Sequence, residues 1–206
     1  MIHRTPAAPS AAIAADRAAT QTATWLRNIG IVVAGSLFIA ACAHVSLPLY
    51  FTPVPLSMQP FAVMLLALLL APRLAAATMV TYLVEGAAGL PFFAPGVAGT
   101  AGFAHLFGPT GGYLISYPFA ALLISWMWRR SPRTYAWALA AAAAGSIVIL
   151  AVGATWLGIL THASPRGVMD VAVLPFLPGD ALKIAAATGI AVGAERLRRP
   201  SSDAKS

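Results

Sequence analysis

The sequence predicts an all-α integral membrane protein, a compact bundle of six transmembrane helices with cytoplasmic N- and C-termini. Composition, the number of apolar segments and the positions of the arginines support this prediction. Of the 206 residues, 59% are hydrophobic and only 9% are charged, whereas a soluble domain carries about 25% charged residues. The composition therefore excludes an ordinary soluble domain and places most of the chain in lipid.

Six apolar segments, separated by connections containing Pro, Gly or Arg, define the predicted helices. A crossing needs about 20 residues, so the short second segment must use part of the preceding connection or thin the bilayer. Residues 25–196 form the expected membrane domain, between a disordered cytoplasmic tail (1–24) and a basic cytoplasmic tail (197–206). The predicted spans are Asn28–Val45, Gln59–Ala71, Leu74–Leu90, Tyr113–Trp128, Tyr135–Leu160 and Asp180–Ala194.

The basic residues orient this bundle. Only Arg166 and Lys183 fall on the side opposite the termini, and cytoplasmic loops carry the excess of Lys and Arg, so both termini are expected in the cytoplasm. The net charge of +7 is then explained by the membrane topology, and no nucleic acid partner is expected. The basic residues on the side of the termini are Arg4, Arg17, Arg27, Arg73, Arg129, Arg130, Arg133, Arg196, Arg198, Arg199 and Lys205.

Asp180 and Lys183 are the most informative charges, because the chain from Ile184 to Ala194 carries none. Three residues apart on a helix, they share one face. A charge at the centre of a membrane helix costs about 2.5–3.5 kcal/mol and usually has a partner or ligand. One interpretation is a helix cap with a snorkelling lysine. The other is a polar binding pocket at the outer edge of the membrane.

Further candidates lie in the connections expected on the same outer face. Ser57 and Gln59 place a hydroxyl and an amide at the mouth of the second span, where they bond either a polar ligand or the loop backbone. Tyr113 follows the glycine-rich stretch Gly108-Pro-Thr-Gly-Gly and is either an interfacial aromatic or a site residue.

Three other side chains are weaker candidates. Phe93 closes the stretch Gly86–Phe93 at the end of the third span, and such aromatics are more often packing residues than ligand contacts. His105 is expected in a polar loop. Glu85 lies near the outer end of the third span without an obvious cationic partner, and is solvated, paired with His105 or part of the site.

Several enzyme classes lack their signatures. Neither Lys183 nor Lys205 follows a glycine as a Walker A lysine does, and no Gly-x-Ser-x-Gly elbow occurs. His44, His105 and His162 have no metal-ligand spacing. We therefore expect no catalytic residue, no metal site and no cofactor.

Together these motifs resemble one known family over Gly30 to Ala194. The motifs are Pro53-Val-Pro-Leu-Ser-Met-Gln59, Ala71-Pro-Arg73, Gly89-Leu-Pro-Phe-Phe-Ala94, Leu106-Phe-Gly-Pro-Thr-Gly-Gly-Tyr-Leu114 and Pro178-Gly-Asp-Ala-Leu-Lys183. Their order is similar to that in BioY-type biotin transporters, the substrate-capture (S) components of energy-coupling-factor (ECF) importers. The resemblance implies a six-helix, multi-pass protein of the bacterial inner membrane that binds biotin and is not itself an enzyme.

The resemblance also implies roles for residues and partners. Asp180 and Lys183 would contact the vitamin, Gln59, Ser57 and Tyr113 would line its pocket, and His105 occupies a loop position expected to be basic or polar. An ECF transmembrane coupling protein and an ATPase pair would be partners. Small-residue pairs on the first helix that could dock the coupling protein are Gly30/Ala34 and Ser36/Ala40.

Three alternatives remain open at this point. One is an ion-coupled or facilitative carrier, for example with Asp180 and Glu85 relaying protons. Another is an S component for a different vitamin, and a third is a membrane enzyme acting on lipid. The sequence also leaves open whether the protein works alone, as a homo-oligomer or only with a coupling module.

Overall fold

The structure is a computed structural model that describes residues 9–95 and 102–198, with side chains from Asp16 onward. Two-residue strands, β1 (Ser46–Leu47) and β2 (Leu56–Ser57), pair antiparallel after the first helix. A 3-10 helix, Gly102–Phe107, precedes the fourth α-helix. The α-helices are α1 (Pro9–His44), α2 (Gln59–Leu69), α3 (Pro72–Ala87), α4 (Gly111–Arg130), α5 (Tyr135–Thr161), α6 (Pro165–Ala172) and α7 (Leu177–Arg198).

Helix α2 lies at the centre of the bundle and contacts α1, α3, α4, α5 and α7. Pro60 begins the helix and Pro72 follows its end, so proline bounds it on both sides. Its 11 residues extend about 16 Å at 1.5 Å per residue, roughly half of a 30 Å hydrocarbon core. The paired strands come before α2, and β2 ends at Ser57, one of the candidate site residues.

The helix bounds differ from the predicted ones at several ends, and the starts of α1 and α7 have a clear physical reason. Helix α1 begins at Pro9, so the predicted disordered tail is helical from residue 9, consistent with the high helix propensity of its many alanines. Helix α7 begins at Leu177, because Pro178 is tolerated in a first turn where its missing N–H needs no partner. Residues 1–8 and most of the predicted basic tail, 199–206, lie outside the described residues.

The connection at 161–178 contains a helix that was not predicted from the sequence. Helix α6 buries Val168 and Ala172 and leaves Arg166 and Asp170 exposed, so it is amphipathic. It is bent by 51° relative to α7 across a short break. An amphipathic helix turned away from the spans is typical of the membrane interface.

The described helices confirm an all-α membrane protein. Asp16–His44 and Tyr135–Thr161 are each long and apolar enough to cross a membrane, and the bent pair α6–α7 is a third candidate span. Within residues 9–95 and 102–198, α2 is apolar but shorter. The apolar outer faces of the longer helices include Val33, Leu37 and Ile147, which are exposed as expected for side chains that contact lipid.

Glycines allow α4 and α5 to approach closely. The ring of Tyr113 lies directly against Gly153, and Trp156 covers Gly112. A Cβ atom on Gly112 would clash with the Cβ atom of Trp156 and lie 2.9 Å from the carbonyl oxygen of Val152. Because these are backbone and near-backbone atoms, no rotamer change relieves the contact.

Two glycine substitutions separate packing from helix propensity. We expect Gly112→Ala to destabilise the protein by about 1–3 kcal/mol through overpacking. Gly189→Ala is the matched control, since no atom outside its own helix lies within 4 Å of the position that a Cβ atom would occupy there, and it should stabilise α7 by up to about 1 kcal/mol. Thermal unfolding of the detergent-solubilised variants measures both effects, and equal unfolding temperatures would contradict this description of the α4–α5 contact.

Candidate functional site

One pocket is lined by residues from all three connections that are predicted on the outer face of the membrane. Pro55 comes from the hairpin before α2, Thr110 from the end of the second connection and Phe176 from the turn before α7. The cavity volume is about 40 Å³, enough for only a few waters, so its walls must separate to admit a larger molecule. Its walls are Val54, Pro55, Ser57, Gln59, Pro60, Thr110, Tyr113, Leu114, Tyr117, Ile149, Leu150, Phe176, Asp180 and Lys183.

Asp180 and Lys183 form a buried ion pair in one wall. Lys183 Nζ donates to Asp180 Oδ1 at 3.3 Å, and the hydroxyl of Ser146 on α5 donates to Asp180 Oδ2 at 2.8 Å. Relative exposure is only 5% for Asp180 and 7% for Lys183. Lys183 is therefore not snorkelling, and the Asp180 carboxylate bonds side chains rather than capping the helix. A role of the pair in ligand binding stays a prediction.

The ion pair leaves bonding capacity unused. A lysine ammonium has three donors and a carboxylate about four acceptor positions. Among the described residues, the Lys183 ammonium bonds only to Asp180, so two of its protons remain available beside the pocket. A polar or anionic molecule in the pocket would satisfy them.

A directional chain of hydrogen bonds fixes the amide of Gln59. Ser57 Oγ donates to Gln59 Oε1 at 3.1 Å, Gln59 Nε2 donates to the hydroxyl of Tyr82, and that hydroxyl donates to the carbonyl oxygen of Phe92 at 3.1 Å. Each oxygen in the chain accepts from the group before it, so the amide has one orientation. One N–H and one lone pair of Gln59 remain for a ligand.

Aromatic rings form another part of the pocket wall. The hydroxyl of Tyr113 donates to the carbonyl oxygen of Ala172 at 2.8 Å, which ties α4 to the end of α6. Its ring lies 6.4 Å from that of Phe176, and Tyr117 is buried beside them in the pocket wall. The pocket thus combines a flat apolar wall with a charged pair and an amide.

Phe93, His105 and Glu85 lie outside the pocket walls. Phe93 packs between Tyr82 and His105, with ring centroids 5.6 and 5.0 Å away. His105 Nε2 is 3.1 Å from the hydroxyl of Thr110, which does line the pocket. Glu85 is partly exposed, with one oxygen, Oε2, buried and unbonded among the described residues. The other five predicted residues, Ser57, Gln59, Tyr113, Asp180 and Lys183, line one cavity.

The sequence does not predict two residues that hold the site together, Ser146 and Tyr82. Ser146 lies 34 positions from Asp180 and Tyr82 lies 23 positions from Gln59. Each sits within an apolar helix, α5 or α3, where a serine or tyrosine gives no signal. Their role depends on helix packing, which no local motif reports.

The arrangement is a pocket in a membrane protein whose walls carry both polar and apolar side chains. No three His, Cys, Asp or Glu side chains come together as a metal site within residues 9–95 and 102–198. A family profile described as the BioY family matches residues 14–200. The chain therefore belongs to the BioY family, which confirms the resemblance found in the sequence.

Named relatives and a solved structure agree with this assignment. The chain is 39% identical over 146 residues to "Probable biotin transporter BioY" of Pyrococcus horikoshii, covering 71% of this chain and 82% of that protein. It is 35% identical over 159 residues to "Biotin transporter BioY" of Thermotoga maritima, covering 77% and 90%. Its fold matches the crystal structure at 2.1 Å of "the S-component for biotin from an ECF-type ABC transporter", with TM-score 0.76, 24% identity, and coverage of 84% and 93%.

A double-mutant cycle tests whether Asp180 and Lys183 are an energetically coupled buried pair. Asp180→Asn and Lys183→Met should each destabilise the protein by about 3–5 kcal/mol, because each leaves a buried charge without its partner. The double variant should recover most of the loss. Unfolding in denaturant measures all three, and additive losses in the double variant would show that the two charges do not interact.

Proposed function

We propose that this protein is the biotin-binding, substrate-specificity (S) component of an ECF-type importer. The observation that carries the proposal is the buried Asp180–Lys183 pair with unused donors beside the amide of Gln59. Family membership and the names of the relatives support biotin as the ligand. The fold match to an ECF S component supports the transporter class.

The chemistry of biotin suits these walls. Its ureido ring offers N–H donors and a carbonyl acceptor, its carboxylate needs a cation, and its thiophane ring and alkyl chain are apolar. The free N–H and lone pair of Gln59 complement a urea, which has both donors and an acceptor. The Lys183 protons can donate to a urea carbonyl or to a carboxylate, whereas the remaining Asp180 lone pairs accept only from urea N–H groups. Tyr113, Tyr117 and Phe176 would cover the apolar part.

Three predicted residues outside the pocket walls would act indirectly, through neighbouring residues. Phe93 packs on Tyr82 and so supports Gln59, while His105 contacts the Thr110 hydroxyl in the wall. Glu85 lies on α3, the helix that carries Tyr82. In this proposal none of the three touches biotin while the walls are closed, and they become contacts only if the pocket widens toward α3.

The proposed topology has six crossings, in a bacterial inner membrane, with both termini in the cytoplasm. The cluster Arg129, Arg130 and Arg133 and the Arg196–Arg198 segment lie at the opposite ends of α4 and α7 from the pocket. The positive-inside rule then places the pocket at the extracytoplasmic face. Biotin would enter from outside and leave toward the cytoplasm.

Helix α1 supplies a docking face for a coupling protein. Gly30 and Ala34 are exposed, and no atom outside the helix lies within 4 Å of a Cβ position at Gly30. Ser36 and Ala40 are buried inside the bundle. Of the two predicted pairs, Gly30/Ala34 is therefore the one that a partner helix could contact. A small-residue surface lets a partner helix approach closely, and ATP hydrolysis would belong to partner subunits.

Equilibrium dialysis of the detergent-solubilised chain against labelled biotin tests the proposal. We expect saturable binding to the wild type and none to Asp180→Ala or Lys183→Ala, each checked for membrane insertion. A panel of other vitamins used as competitors separates biotin from the alternative ligands. Absence of saturable biotin binding by the wild type would reject the proposal.

Biotin uptake that an uncoupler abolishes at constant ATP would instead favour an ion-coupled carrier.

Tyr82 is expected to matter for biotin although it does not line the pocket. Tyr82→Phe removes the acceptor for Gln59 Nε2, at a cost of about 1–3 kcal/mol for the buried group left unbonded. We expect weaker biotin binding by roughly tenfold, measured by the same dialysis. Tyr50→Phe is the matched control because Tyr50 is fully exposed. Unchanged affinity in Tyr82→Phe would show that the hydrogen-bond chain does not orient Gln59 for the ligand.

A further inference from the structure

A second apolar space lies outside the proposed biotin pocket, between α5 and the α6–α7 bend. This groove has a volume of about 680 Å³. Its long wall is the face of α5 from Ile147 to Ile159, and its other wall is formed by α6 and the start of α7. Ile147 and Ile159, at its two ends along α5, are 67% and 68% exposed. The groove therefore opens to the surroundings of the protein.

The dimensions of this groove match one lipid chain. Twelve helical steps separate Ile147 from Ile159, which corresponds to about 18 Å. One leaflet of a 30 Å hydrocarbon core is about 15 Å deep. The α5 wall has small residues along this length, Ala151, Ala154 and Gly158, so few side-chain atoms project into the groove. A straight apolar chain, rather than a side chain of another helix, would fill such a long shallow channel.

A basic residue, Arg166, comes directly after a residue of the groove wall. Pro165 lines the groove, and the next residue, Arg166, is exposed and has no hydrogen bond or ion pair among the described residues. Asp170, one turn further along α6, is also exposed and forms no ion pair with Arg166 there. Because α6 is amphipathic and bent away from α7, it suits the level of the lipid headgroups. An arginine there matches a phosphate.

We propose that this groove is a binding site for one anionic phospholipid, with an acyl chain along α5 and the phosphate at Arg166. The groove and the ligand pocket share only Leu150 among their lining residues, and the proposal does not depend on the identity of the ligand in the pocket. Leu150 belongs to both walls, so the lipid chain contacts the outer side of a residue that closes the pocket. The bound lipid fills space between α5 and α6 that the protein's own side chains leave open.

Native mass spectrometry of the delipidated, detergent-purified chain tests this site. The probes are dioleoylphosphatidylglycerol and dioleoylphosphatidylcholine, titrated separately. We expect the wild type to retain one phosphatidylglycerol at concentrations where phosphatidylcholine is not retained. Arg166→Gln should weaken phosphatidylglycerol binding about fivefold, the effect of one basic residue on attraction to anionic lipid. Ala151→Trp should remove the adduct by filling the groove.

Matched controls keep the experiment decisive. Asp170→Asn removes a charge from the same helix and should bind phosphatidylglycerol at least as well as the wild type. Ala140→Trp adds the same ring to an exposed position of α5 outside the groove and should leave binding unchanged. Thr155→Trp, which also fills the groove from an exposed position, replaces Ala151→Trp if that variant does not elute as a single species.

Four results would overturn the proposal. They are equal retention of the two lipids, unchanged binding in Arg166→Gln, unchanged binding in the groove-filling variant, and a dimer mass showing that a second copy occupies the groove.

Discussion

The buried ion pair of Asp180 and Lys183 is the constraint on which the rest of the site depends. Two charges removed from water are costly unless their geometry is good and their remaining bonding positions are satisfied. Here the carboxylate has two donors, Lys183 and Ser146, whereas the ammonium has one acceptor among the described residues. A site that is incomplete in this way is suited to a ligand that completes it, which links the cost of the pair to function.

The shortness of α2 places the second polar group beside that pair. Because α2 begins only at Gln59, the chain before it can fold as the β1–β2 hairpin and bring Ser57 over the same cavity. The α2 helix also contacts α7, so the amide of Gln59 and the ion pair are held by packed helices rather than by loops. Rigid elements thus hold both polar groups, while the hairpin residues Val54 and Pro55 close the pocket.

Residues that break a local pattern could be predicted from sequence, and residues that act through packing could not. Asp180 and Lys183 interrupt an uncharged segment, and Ser57, Gln59 and Tyr113 lie in proline- or glycine-rich motifs; all five line the pocket. Ser146 and Tyr82 have ordinary surroundings in sequence, and only the crossing of distant helices brings them to the site. Helix α6 was missed because eight residues containing Pro165 and Gly167 do not read as a helix.

The central claim is that the charged pair is retained for biotin and not for folding. Its most direct test is the shift in unfolding temperature that biotin causes in the wild type and in the double variant Asp180→Asn/Lys183→Met. At about 100 times the dissociation constant, a ligand stabilises the folded state by about 2.7 kcal/mol, so the wild-type unfolding temperature should rise clearly. The double variant should unfold cooperatively with no shift. An equal shift in both proteins would contradict the account.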